Sequence, residues 1–152
     1  MGAEDRLAEL GLELPASTPP LASYVPVVVT GNLAFVSGQV AIEDGTPMWT
    51  GHVGAEVSLE EAGQAARRCA LQALGILRAE LGSLDKVRRI VKLTVWVASA
   101  PGFTDQPKVA NGASDLLQEV FGEAGRHARA AVAAPELPLG VPVEVELVAE
   151  VA

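Results

Sequence analysis

Hydrophobic and polar positions along the chain follow two periods, and the switches between them mark out its elements. Residues 25–30 and 33–37 are apolar runs rich in Val and Phe, separated by Gly31-Asn32, a pattern that predicts a β-hairpin. From residue 58 the period lengthens. Leu59, Ala62, Ala66, Cys69, Ala70, Ala73, Leu77 and Leu81 recur every three or four residues, with Arg67, Arg68, Arg78 and Glu80 filling much of the other side. Ser58 and Glu61 have capping-box spacing and Gly82 supplies a stop, so a helix is expected over 59–81; its alanine stripe predicts a close approach to its neighbour. Residues 87–98 return to period two, with Val91, Leu93, Val95 and Val97 facing one way and Lys92, Thr94 and Trp96 the other. A second helix follows 101–107, presenting Val109, Ala113, Leu116, Leu117, Val120 and Phe121 on one face and ending at Gly122. Two strands close the chain. The stretch 128–134 is short and small-sided, whereas 141–151 alternates Val141, Val143, Val145, Leu147, Ala149 and Val151 with Pro142, Glu144, Glu146, Val148 and Glu150. Residues 4–11 predict a brief helix stopped by Gly11 and the proline-containing 15–20. The segment 41–57, with Gly45, Pro47, Gly51 and Gly54, predicts a loop holding at most a short strand around Met48-Trp49.

The order ββαβαββ defines an α+β chain. Its two amphipathic helices cover one side of a four- or five-stranded sheet. The other face then carries Trp96, Val148 and small side chains with no helix over it, and an uncovered face of that kind predicts an oligomer in which sheets meet. Composition narrows the functional classes. Eleven Lys+Arg against 19 Asp+Glu give a net charge of −8, and the pI near 4.7 argues against affinity built on nucleic-acid phosphates. No apolar run approaches the ~20 residues that cross a bilayer. The opening MGAEDRLAELGLELP carries acids where a signal peptide carries basic residues, so a cytosolic address is expected. One cysteine, Cys69, excludes an intramolecular disulfide and a Cys-rich zinc site; it falls on the helix stripe as core. Hydrophobic residues make up 49% but aromatics only 4%, so the buried surface must come from small aliphatic groups.

Four collinear stretches resemble the RidA/YjgF family, historically described as translation inhibitors or L-PSP endoribonucleases. Asn32-Leu33-Ala34-Phe35-Val36-Ser37-Gly38-Gln39 is similar to the family's NLVFVSGQ strand and turn, and 87–97 to its VVKTTVFL strand. Ala128-Arg129-Ala130-Ala131-Val132 is similar to ARSTV. Leu137-Pro138 and Val143-Glu144-Val145-Glu146 are similar to LPxGxxVEIEAIA, and the 15-residue interval from Arg129 to Glu144 is that of the family motif. The resemblance implies a chorismate-mutase-like fold (bacillus type) and a homotrimer with ligand clefts between subunits. Residues 1–21 read as an N-terminal extension and 22–152 as a single domain, nearest the longer YjgF-like subgroup.

Arg129 is the one charge in a strand of Ala and Val. Its planar fork matches a carboxylate with two parallel hydrogen bonds; the alternative reading is an intersubunit or edge salt bridge. The resemblance implies that Arg129 holds the carboxylate of a 2-imino acid such as 2-iminobutanoate while water hydrolyses the imine to a 2-keto acid and ammonia. It likewise makes Glu144 the group that orients the attacking water, Tyr24 a residue of the cleft mouth, and Ser37-Gly38 the turn beside the substrate. Where many members carry a cysteine, this chain has Ala131, which leaves a backbone contact and no thiol. For the second helix, Asn111 matches by local sequence, whereas aligning Phe121 puts Ser114 at the same turn. No metal or organic cofactor is required, because the site needs mainly to orient substrate and water.

His127 lies two residues before Arg129 and reads either as a base or second anion contact or as a surface histidine. His52 has no partner pattern, and two dispersed histidines make no metal site. The leading expectation is therefore an imine deaminase acting on a small carboxylate-bearing metabolite. A non-catalytic trimer that binds such a metabolite is the alternative, and a ribonuclease ranks third. A chorismate mutase would need further cleft cations, for which Arg126 and Arg88 are the available residues.

Overall fold

In the computed structural model, which describes residues 1–17 and 22–152, the capping box at Ser58 forms in full. Ser58 Oγ accepts from Glu61 N and Glu61 Oε1 accepts from Ser58 N, both at 3.1 Å. They open α2 (Leu59–Leu81), which Gly82 ends in a left-handed conformation. Burial begins at Ala62, so Leu59, placed on the apolar stripe by its spacing, instead stands exposed in the opening turn. The buried face also takes in Ala65, Leu74, Gly75 and Ile76, because α2 packs on α3 (Gln106–Phe121) as well as on the sheet. At the α2–α3 crossing a methyl group on Gly112 would collide with the Gly63 carbonyl, so the helices approach as closely as the small-residue stripe predicts.

The remaining elements are α1 (Ala3–Leu10), β1 (Val27–Thr30), β2 (Leu33–Val40), β3 (Ile42–Glu43), β4 (Thr46–Pro47), β5 (Val87–Ala98), β6 (Ala128–Ala134) and β7 (Val143–Val151). Pro19 and Pro20 of the expected helix stop lie outside the described residues. Among the described residues, one sheet runs β1-β2-β7-β5-β6, antiparallel except for the parallel β5–β6 pair, and α2 and α3 cover one of its faces. This is the mixed sheet of the chorismate-mutase-like fold. Among the described residues no helix is long and apolar enough to cross a membrane.

Two local expectations are corrected. The short strand of the 41–57 segment lies at Thr46-Pro47 rather than Met48-Trp49, paired with Ile42-Glu43. Asp44 and Gly45 both have positive φ (51° and 76°), the two-residue turn that suits a tight hairpin, and it sets this register. In β5, Val91 does not share a face with Leu93: it is 36% exposed and Ile90 takes the inward place. The β5–β7 register shifts between Ile90 and Lys92, and one extra residue in a ladder reverses the side-chain alternation on its far side.

α1 packs on the same core: Leu7 is buried, and Glu4 accepts from Arg78 Nη2 at 2.6 Å, Arg78 Nε at 3.1 Å and Leu84 N at 2.9 Å. Among the described residues the other sheet face carries no helix, as the pattern of Trp96 and Val148 predicts. Val28, Phe35 and Trp96 stand exposed there, and Val28, Phe35, Val148 and Lys92 form one row across β1, β2, β7 and β5.

Candidate functional site

β6 is an edge strand paired in parallel with β5, with Arg129 opposite Leu93 and Ala131 opposite Val95. Leu93 and Val95 are buried beneath the helices, so Arg129 and Ala131 also point to the helix side. There α3 meets Arg129: its Nη1 donates to Asn111 Oδ1 at 2.7 Å and to Ser114 Oγ at 3.1 Å. Asn111 and Ser114, the two candidates on the second helix, thus grip the same nitrogen. Among the described residues, Arg129 Nε and Nη2 have no hydrogen-bond partner and no carboxylate pairs with the guanidinium. One edge of the fork is anchored by neutral oxygens, and the other is left free with its charge uncompensated.

Ser114 is the one buried polar side chain among the described residues, 5% exposed. Its Oγ also meets His127 Nε2 at 2.9 Å, while His127 Nδ1 meets the Gly125 carbonyl at 2.6 Å. A carbonyl accepts only, so Nδ1 carries the proton; in the neutral ring Nε2 then accepts from the Ser114 hydroxyl. His127 is thus half-buried and tied into the site. Asn111, Ser114, Asp115, Gln118, Arg126, His127 and Arg129 line a cleft of about 240 Å³. Asp115 and Gln118 carry no signal of their own in the sequence, although lying four and seven residues after Asn111 puts them on its helix face.

A second cluster lies on the uncovered face. Glu144 pairs across β7 with Val40 of β2 and Trp96 of β5, and its half-buried carboxyl leans over Gly38, where an added methyl group would come within 2.5 Å of Oε1. Burial, and secondarily the neighbouring Glu146, hold the Glu144 carboxyl above the usual carboxylate range. The β2–β7 register shifts between Val36 and Gln39, so Ser37-Gly38 bulges out of the ladder. Ser37 Oγ donates to the Val25 carbonyl at 2.7 Å, which fixes the chain around the exposed Tyr24 beside that bulge.

The two clusters do not meet within one chain. Arg129 is in register with Leu93 and Glu144 with Trp96, three residues apart on β5 and therefore on opposite faces of the sheet. Arg129, Asn111 and Ser114 form one group, with Ala131 on the same face of β6; Glu144 and the Ser37-Gly38 bulge form the other, with Tyr24 next in sequence to the Val25 that Ser37 bonds. Elsewhere, His52 Nε2 lies 2.9 Å from the Pro135 carbonyl and 3.4 Å from Glu136, and this carbonyl, with Glu136 and Glu56, raises its pKa above the usual imidazole value. Burial pushes the Cys69 thiol far up, leaving it inert core. Arg126 pairs with Glu123 at 3.6 Å and Arg88 is exposed on β5.

A mixed sheet with helices on one face, an anchored arginine on its edge strand and a glutamate on its bare face define the class. The chain belongs to the YjgF/RidA (endoribonuclease L-PSP) family: the family described as "YjgF/chorismate_mutase-like, putative endoribonuclease" matches residues 4–151. Protein TCP17 of Trypanosoma cruzi is 49% identical over 145 residues, 95% of this chain and 91% of that protein. A crystal structure of a protein of unknown function from Agrobacterium tumefaciens has a TM-score of 0.91 at 46% identity, covering 99% of this chain and 92% of that one. A second, described as a putative endoribonuclease from Shewanella oneidensis, has a TM-score of 0.95 at 35% identity, covering 99% and 100%.

Proposed function

We propose that this protein hydrolyses reactive 2-imino acids, of which 2-iminobutanoate is the type, to 2-keto acids and ammonia, in clefts between the subunits of a homotrimer. One observation carries the reading: among the described residues Arg129 is anchored through Nη1 alone, so its Nε–Nη2 edge is open to take a carboxylate with two parallel hydrogen bonds. Water adds to the imine carbon, the C–N bond breaks, and nitrogen leaves as ammonia with the protons it gains. Glu144, inclined by burial to hold a proton, accepts one from the attacking water and passes it to the departing nitrogen. Tyr24 and the Ser37-Gly38 bulge border its side of the cleft. Membership of the RidA family supports this class of chemistry, and a net charge of −8 weighs against RNA as the substrate.

Because Arg129 and Glu144 face opposite sides of one sheet, a complete site needs Arg129 from one subunit and Glu144 from another. Purified protein should accelerate 2-iminobutanoate loss, and Arg129→Ala and Glu144→Gln should each abolish the effect. Subunits of the two inactive variants, unfolded together and refolded as a mixture, should regain activity, since about a quarter of interfaces then pair an intact Arg129 with an intact Glu144. Absence of acceleration by wild type, with pyruvate still bound, would leave a non-catalytic carboxylate binder. Absence of recovery in the mixture would disprove the shared site.

A further inference from the structure

Behind Arg129 lies a buried link that no step of imine hydrolysis uses. Ser114 has a single hydroxyl and two demanding neighbours, Arg129 Nη1 at 3.1 Å and His127 Nε2 at 2.9 Å. A guanidinium nitrogen only donates, so the Ser114 oxygen must accept from it. The hydroxyl proton then has to go elsewhere, and in a side chain 5% exposed an unspent donor is costly. His127 Nε2 takes it, and only as an acceptor. The far side of the ring agrees: Nδ1 lies 2.6 Å from the Gly125 carbonyl and donates to it, which in the neutral ring leaves Nε2 the acceptor. Gly125 in turn is buried against α3, with no room for a methyl group beside the Leu117 carbonyl, so the carbonyl that sets the ring is itself fixed by packing. With the ring neutral, every hydrogen bond from Gly125 to Arg129 runs in one direction.

We propose that His127 is a positioning residue of the carboxylate site: acting through Ser114, its Nε2 keeps the serine oxygen turned toward Arg129 Nη1 and so holds the Nε–Nη2 edge aimed into the cleft. The inference rests on the reading of Arg129 as the carboxylate clamp. It assigns His127 neither acid nor base chemistry, and it requires an acceptor at the Nε2 position rather than an imidazole as such. The charged groups around the cleft, Asp115 of α3 and Arg126 beside its Glu123 partner, offer Ser114 no substitute in the structure, where its bonds go to His127 and Arg129.

Two replacements separate the alternatives. A glutamine amide oxygen reaches the place of Nε2, whereas an asparagine amide nitrogen reproduces only the Nδ1 donor to Gly125. Pyruvate binding to the 152-residue chain, measured by titration calorimetry, should be within about twofold of wild type in His127→Gln. It should weaken about threefold to tenfold in His127→Asn, the effect of one lost hydrogen bond. Ser114→Ala, which leaves His127 and Gly125 untouched, should match His127→Asn. Equal affinities in the two His127 variants, or wild-type binding by Ser114→Ala, overturn the inference. Arg129→Ala separates this from failure of the underlying reading: if it binds pyruvate as wild type does, the clamp itself is wrong; if it loses binding while both His127 variants behave alike, only the positioning role falls.

Discussion

Glu144 and Arg129 meet opposite electrostatic circumstances. Arg129 is exposed and held by neutral oxygens, whereas Glu144 is half-buried beside another acid, Glu146. The pKa of Glu144 is raised by folding, so its contribution to stability is fully present below the ordinary carboxylate pKa and is lost as pH rises through the raised value. Glu144→Gln removes that loss. The variant should therefore gain on wild type between about pH 4, near the ordinary carboxylate value, and neutral pH, about 7. Urea midpoints at the two pH values measure it, and an equal difference at both would show that the carboxyl is not raised. At this scale the sequence was partly legible. Arg129 was visible because it is the one charge in a strand of Ala and Val. The Ser114–His127 link was not, because it depends on how closely β6 approaches α3, a distance no local pattern encodes.

Between elements, small residues decide how close the layers come. Gly63 and Gly112 lie at the same crossing but differ in outlook: a methyl group on Gly112 meets the Gly63 backbone, whereas one on Gly63 meets open space. Gly112→Ala should therefore cost about 1–3 kcal/mol through overpacking, more than alanine's gain in helix propensity. Gly63→Ala should be neutral or stabilise by up to about 1 kcal/mol, the helix-propensity difference between the two residues. Chemical denaturation of both variants tests the pair, and equal effects would contradict the crossing geometry. The capping box, the helix stops and the clean alternation of β7 were readable because each is encoded by neighbours along the chain. The phase of β5 before Leu93 was not, because the shift that turns Val91 outward arises from pairing with β7, some 55 residues away in sequence.

For the whole molecule, the uncovered sheet face carries the largest consequence. Val28, Phe35 and Trp96 stand exposed there, and Val28 and Phe35 line a depression of about 350 Å³ together with Thr94 and Val148. A monomer has no use for such a surface, and Phe35→Glu is expected to shift the protein toward single chains in analytical ultracentrifugation while leaving its helical circular dichroism unchanged. An unaltered sedimentation profile would remove this face from the subunit contact. The aliphatic excess in the sequence pointed here, but composition does not say which side of a sheet is left bare; the placement of both helices does. The opposed directions of Arg129 and Glu144 add a consequence of mass action. On the proposed shared site, a lone chain would own halves of two different sites and no whole one. Dilution below the point of dissociation would then remove sites as well as molecules, and turnover per chain would fall with concentration even though every chain stays folded.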